Sequence, residues 1–181
     1  MNNVCIIGSG HVGLVTGACL EELGNKVICV DNDAHKIEGL KEGEMPFYEP
    51  GLEELVHRNT NNGRLYFTTG IEEGVKASEI IFISVGTPQK PDGTADMTLV
   101  EAVIRKISQT IDSYKVIIEK STVPVKTGKW ISTKLNSSRG VNCDVVSNPE
   151  FLREGSAINN FMNPDQNCNR HNLPAGNKNN D

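Results

Sequence analysis

No apolar run in this sequence approaches the roughly 20 residues that a bilayer-spanning helix requires. The N-terminus enters a strand-like run at once, which is read as leaving no room for a secretory leader. Cysteine pairing is missing too. The five cysteines are scattered without C-x-x-C spacing, and no metal site is expected. Cys5 and Cys29 fall inside apolar runs and Cys19 on the following helix, where a free cysteine serves as a small hydrophobe. Positive charge is in short supply: the formal net charge is −5 and no Lys/Arg cluster stands out. That balance argues against nonspecific binding to nucleic acid or to a membrane surface. The expected location is the cytoplasm. What remains is an ordinary composition over 181 residues with 37% hydrophobic content, enough for one core.

The informative feature lies at the start. Val4-Cys5-Ile6-Ile7 has strand length, Gly8-Ser9-Gly10-His11-Val12-Gly13 reads G-x-G-x-x-G, and Val27-Ile28-Cys29-Val30 ends in Asp31. Gly8 permits a tight turn, Gly10 lets the backbone approach a pyrophosphate, and Gly13 lets a helix pack closely on the strand. The pyrophosphate then sits on free N–H groups at the positive end of that helix, with His11 and Val12 part of the same turn. Asp31 would accept hydrogen bonds from the adenosine ribose, favouring NAD because a 2′-phosphate would meet a negative charge. Glycines often serve turns alone. Here the strand, the helix and the acid all fall where the motif needs them, so a dinucleotide site with NAD as cofactor is predicted.

Strand-like runs at 3–8, 26–30, 64–68, 79–85, 115–119 and 143–147 alternate with helical segments at 11–23, 33–42, 52–60, 71–77, 97–110 and 125–136. This alternation predicts an α/β, Rossmann-type doubly wound parallel sheet of about six strands, with helices on both faces. The expected strand order is 3-2-1-4-5-6, with ligands at the carboxyl ends of the strands. Pro46, Pro50 and Gly51 mark a loop that leads into a helix near Leu52. Residues 1–165 are read as one domain. The segment 166–181 holds six Asn, one Leu and no periodicity, and is read as a disordered tail.

Three polar segments follow predicted strands: Gly86-Thr87-Pro88, Ser121-Thr122-Val123-Pro124, and Asn148-Pro149-Glu150-Phe151-Leu152-Arg153-Glu154-Gly155. Each has a plain turn reading, because Gly, Pro, Ser and Asn dominate turns. Their common placement on the edge of the glycine turn favours a shared cleft. Glu150 likewise has two readings, as a cap for a helix after Pro149 or as a functional acid.

With these segments, and with Pro46-x-Tyr48-Glu49-Pro50-Gly51-Leu52 and Lys120-Ser121-Thr122-Val123-Pro124, the chain resembles the N-terminal domain of the UDP-glucose/GDP-mannose dehydrogenase family. Phe161-Met162-Asn163-Pro164-Asp165 leans toward the branch that takes UDP-glucose. The resemblance implies two NAD-dependent oxidations at the sugar C6 carbon, with a cysteine thioester between them. It implies that Val12, Asp31, Lys36, Thr87, Thr122 and Glu154 contact NAD. It also implies that Glu150, Phe151, Leu152, Arg153 and Glu154 line the sugar-nucleotide site. Glu150 would activate water for thioester hydrolysis, and Thr122 would orient that water or the leaving proton.

The resemblance stops at Asp165, which is read as a truncated, frame-shifted or engineered product. Cys168 and Cys143 lack the context of the family's nucleophile, so this chain alone is not expected to complete the reaction. Other readings stay open: a non-catalytic NAD-binding remnant, pairing with itself or with intact subunits, and a relative acting on GDP-mannose or another UDP-sugar.

Overall fold

The computed structural model describes residues 1–124, 126–136, 141–164 and 170–171. Its strands are β1 (Asn3–Ile7), β2 (Lys26–Val30), β3 (Leu65–Thr68), β4 (Ile80–Ile83), β5 (Lys115–Glu119), β6 (Cys143–Ser147) and β7 (Arg170–His171). Its helices are α1 (His11–Glu22), α2 (Ala34–Glu42), α3 (Leu52–Asn61), α4 (Ile71–Ala77), α5 (Thr98–Thr110), α6 (Thr127–Asn136) and α7 (Ala157–Met162). The sheet order is β3-β2-β1-β4-β5-β6-β7. The first six strands are parallel, in the order that the alternation predicts. The short β7 runs antiparallel, pairing His171 with Val146 and Arg170 with Ser147. The rest of 166–181, including Cys168, lies outside the described residues.

The central strands β1 and β4 are apolar on both sides because both sides are covered. Val4 and Ile6 of β1 join Val27, Cys29, Leu65 and Phe67 in one core layer, closed by α1, α2, α3 and α7. Cys5 and Ile7 point the other way, into a second layer with Ile81, Ile83, Ile117 and Val145 under α4, α5 and α6. Full burial of such an aliphatic side chain contributes about 1.5–3 kcal/mol, so the alternation along β1 drives the sheet into the middle. Among the described residues, no helix is long and apolar enough to cross a membrane.

Cys5, Cys19, Cys29 and Cys143 are free and buried. Burial pushes the Cys5 and Cys19 thiols up to about 12 and raises Cys29 and Cys143 as well. These are core residues, not nucleophiles.

Three departures from the sequence reading matter. The fourth strand stops at Ile83 instead of continuing to Val85, which frees Ser84, Val85 and Gly86 to face a cleft. Helix α7 was not visible in the pattern. No helix starts directly after Pro149: residues 148–155 form a loop, and Glu150 accepts a local bond from the Leu152 N–H at 3.1 Å.

Candidate functional site

The turn between β1 and α1 is built as its glycines require. Gly8 has φ +102°, and its N–H donates to the Val30 carbonyl at 2.8 Å. A Cβ on Gly13 would sit 1.8 Å from the Gly8 carbonyl oxygen, so only glycine lets α1 approach this closely. A Cβ on Gly10 would meet nothing within 4 Å, and no side chain caps the head of α1. The head of α1 is therefore uncapped and Gly10 borders open space, the arrangement that receives a phosphate.

That open space belongs to a cleft of about 490 Å³ at the carboxyl ends of β1, β2, β3 and β4. It straddles β1 and β4, where the strand order reverses, the usual place for a ligand in such a sheet. Gly8, Gly10, Asp31 and Lys36 line it, with Ser84, Val85 and Gly86 beyond. Leu99, Val103 and Lys106 of α5 close the remaining side. The Ser84 Oγ is buried without a hydrogen-bond partner among the described residues, a polar group left for a ligand or water to satisfy.

Asp31 is 8% exposed and its carboxylate is organised from three directions. Oδ2 accepts from the Ser9 N–H at 2.8 Å and from Lys36 Nζ at 2.9 Å, and Oδ1 accepts from the Asp33 N–H at 3.1 Å. Partial burial opposes ionisation. The Lys36 ammonium and the two N–H groups outweigh it and hold the carboxyl below the usual carboxylate range. An ionised carboxylate with about four acceptor positions retains capacity for a ribose hydroxyl after three bonds.

The loops after β4, β5 and β6 meet further along the same edge. Thr87 donates through Oγ1 to the Thr122 carbonyl at 2.7 Å, and Ser121 Oγ donates to the Val85 carbonyl at 2.8 Å. Lys120 is buried, donates to Asn148 Oδ1 at 3.1 Å, and lies near enough to Glu150 to feel its charge. Burial pulls the Lys120 ammonium below its ordinary range, offset in part by Glu150. Phe151, Arg153 and Glu154 are exposed, whereas Leu152 packs against the core layer under α1.

His11 and Val12 sit half-buried at the head of α1, outside the cleft lining. The His11 ring turns to Glu49, with Nε2 2.9 Å from Oε2. Sequence reasoning assigned no role to Glu49, Ser84 or Lys106. The spacing of Leu99, Val103 and Lys106 shows one helix face, but nothing local says that this face meets a ligand. Among the described residues no cluster of three metal-ligating side chains occurs.

Comparison with known proteins follows the same geometry. Residues 2–169 match the model of the UDP-glucose/GDP-mannose dehydrogenase family, NAD binding domain. The chain is 52% identical over 165 residues to UDP-glucose 6-dehydrogenase TuaD of Bacillus subtilis, covering 90% of this chain and 36% of that protein. A UDP-glucose dehydrogenase structure from Pyrobaculum islandicum superposes with a TM-score of 0.90 at 39% identity, over 94% of this chain and 41% of that one. A GDP-mannose dehydrogenase from Pseudomonas aeruginosa, solved as a ternary complex, gives 0.88 at 34% identity, over 93% and 41%. The chain thus spans about two fifths of the length of the relatives it matches.

Proposed function

The chain belongs to the UDP-glucose/GDP-mannose dehydrogenase family, and from that premise we propose that it is the cofactor-binding part of an enzyme that oxidises the C6 alcohol of UDP-glucose to UDP-glucuronate. The observation that carries this reading is the cleft: an open glycine turn at one end and an ionised, three-bonded Asp31 at the other. The residues present fit NAD. The first-turn N–H groups of α1 would hold its pyrophosphate, Asp31 its adenosine ribose, and Lys36 would keep Asp31 charged and in place. Bound NAD supplies a hydride acceptor for the sugar carbon. UDP-glucose is preferred over GDP-mannose because the 52% identity to a UDP-glucose 6-dehydrogenase exceeds the 34% to the GDP-mannose enzyme.

On the sugar side, Thr87 and Thr122 would border the nicotinamide end, and Glu150 would take a proton from water. Phe151, Leu152, Arg153 and Glu154 would flank the sugar nucleotide. The four described cysteines are buried with raised thiols. The chain is therefore expected to bind cofactor without completing the four-electron oxidation by itself. A fluorescence titration with NADH, with NADPH as control, tests the cofactor assignment. Saturable binding selective for NADH is expected; equal or preferential binding of NADPH overturns it.

Pairing with another subunit has its own support. Tyr48 is 88% and Phe151 59% exposed, on two loops joined through Glu49, and large exposed aromatics favour contact with a protein surface. Sizing chromatography is expected to give a species larger than one chain; a clean monomer across the micromolar range sinks this reading.

A further inference from the structure

Glu49 is 4% exposed, and among the described residues its carboxylate is bonded by distant parts of the chain. Oε2 meets His11 Nε2 at 2.9 Å and accepts from the Gly155 N–H at 2.8 Å; Oε1 accepts from the Ala157 N–H at 2.8 Å. These partners lie 38, 106 and 108 residues away. Burial alone would favour the neutral acid, but His11 and the two N–H groups outweigh it and keep the carboxyl below its ordinary range. The loop that carries Glu49 is itself held. Phe47 packs its ring 5.1 Å from that of His11, the Leu52 N–H donates to the Glu49 carbonyl at 3.1 Å, and Gly51 takes φ +78°.

The two sides that Glu49 joins are functionally distinct. His11 is the first residue of α1, directly after Gly10 at the phosphate-receiving end. Gly155 closes the loop that carries Glu150 and Glu154, and Ala157 starts α7, whose Ile158 and Phe161 pack on the core under α1. The carboxylate is the bridge, with one oxygen shared between His11 and Gly155.

We propose that Glu49 is a positioning residue that makes the placement of the Glu150–Gly155 loop depend on His11 at the head of the cofactor helix. The naming of the loop as sugar-facing and of the turn as cofactor-facing rests on the function proposed above. The His11-to-loop dependence does not. If Glu49 only capped α7, a change at His11 would leave the loop untouched. With a shared carboxylate, loss of the imidazole frees Glu49 to swing, and the Gly155 and Ala157 amides lose their fixed acceptor.

The test is amide hydrogen exchange by NMR on the full chain, in wild type, His11→Phe, His11→Gln, Glu49→Gln and the His11→Phe/Glu49→Gln double variant. Phe keeps the packing on Phe47 and removes the hydrogen bond; Gln restores a donor. In His11→Phe, exchange at Gly155 and Ala157 is expected to quicken roughly threefold, the scale of one modest hydrogen bond. In Glu49→Gln it should quicken on the order of tenfold, because two charge-assisted acceptors are altered. The double variant should match Glu49→Gln, and His11→Gln should return toward wild type. Exchange in His11→Phe indistinguishable from wild type, or a double variant equal to the product of the two singles, overturns the proposal. If Glu49→Gln does not fold, the two His11 variants decide the matter alone, since both leave the carboxylate and its amide bonds in place. Adding NADH separates this proposal from the function on which its naming rests. Failure of wild type to bind NADH sinks the cofactor assignment, while the His11 series still decides the coupling.

Discussion

Two buried carboxylates, each near the carboxyl end of a strand or at a loop beside it, are treated in opposite ways. Asp31, after β2, receives three hydrogen bonds and is held ionised. Glu119, the last residue of β5, is 2% exposed, and its Oε1 has no partner among the described residues. Burial pushes its carboxyl up to about 7, offset in part by the Ser121 N–H. The cofactor half of the sheet edge is thus electrostatically finished by this chain's own groups. The half after β5 and β6 carries a buried acid only partly compensated, and a loop with Phe151, Arg153 and Glu154 exposed. A carboxylate held ionised before any ligand arrives on one side, and a buried acid only partly compensated beside an exposed loop on the other, make the two halves of the edge different in kind.

The sharpest way to break the comparison is at Gly13. Ala there would place its Cβ 1.8 Å from the Gly8 carbonyl, forcing α1 away from β1. The expected cost is about 3 kcal/mol of stability with loss of NADH binding, read by urea unfolding and by titration. Unchanged binding would mean that the turn is not the cofactor platform.

Next comes Glu119→Gln. A folded-state pKa raised from 4.5 to about 7 means that the stability linked to this group is full below about pH 4.5 and is lost as pH rises toward 7. The variant should lack that decline and gain at pH 8 relative to pH 5, by on the order of 3 kcal/mol at most. Equal pH profiles for the two proteins would show that Glu119 is compensated after all. Asp31 has the opposite sign: its lowered pKa supports stability above the ordinary carboxylate range, lost only as the solution becomes more acid than that.

Asp31→Ala should weaken NADH binding by roughly 10- to 100-fold, the scale of hydrogen bonds to a charged group. It should also narrow the preference over NADPH and leave UDP-glucose affinity unchanged. An equal loss for both ligands would undo the division between the two halves. The smallest effect is expected from deleting 166–181. Only the β7 pairing with β6 is lost among described contacts, so unfolding should shift by less than about 1 kcal/mol, checked by thermal melting. A larger loss would show that the tail matters to the core.

Much of the cofactor half was legible because its signals are local. Gly8, Gly13 and Asp31 each declare a backbone or charge requirement within thirty residues of sequence, and the alternating apolar runs yield the strand order through general rules of parallel sheets. The α7 segment Ala157-Ile158-Asn159-Asn160-Phe161-Met162 was missed because six residues rich in Asn present no helical period; packing of Ile158 and Phe161 on the core makes it a helix. The cap reading of Glu150 does not hold, because the acid at the head of α7 is Glu49, whose Gly155 and Ala157 partners lie more than a hundred residues away.

The amino-acid sequence by itself determined the parallel α/β sheet, the glycine turn and the acid that ends the second strand, since periodicity, steric need and charge act over short spans of chain. Only the tertiary structure decided that Glu49 meets both His11 and the Gly155 loop, that Lys106 faces the cleft and that Glu119 is buried with one carboxylate oxygen unpartnered among the described residues. Each of those depends on which distant groups arrive at the same place, and a linear pattern carries no record of the partner that saturates a carboxylate or leaves it bare.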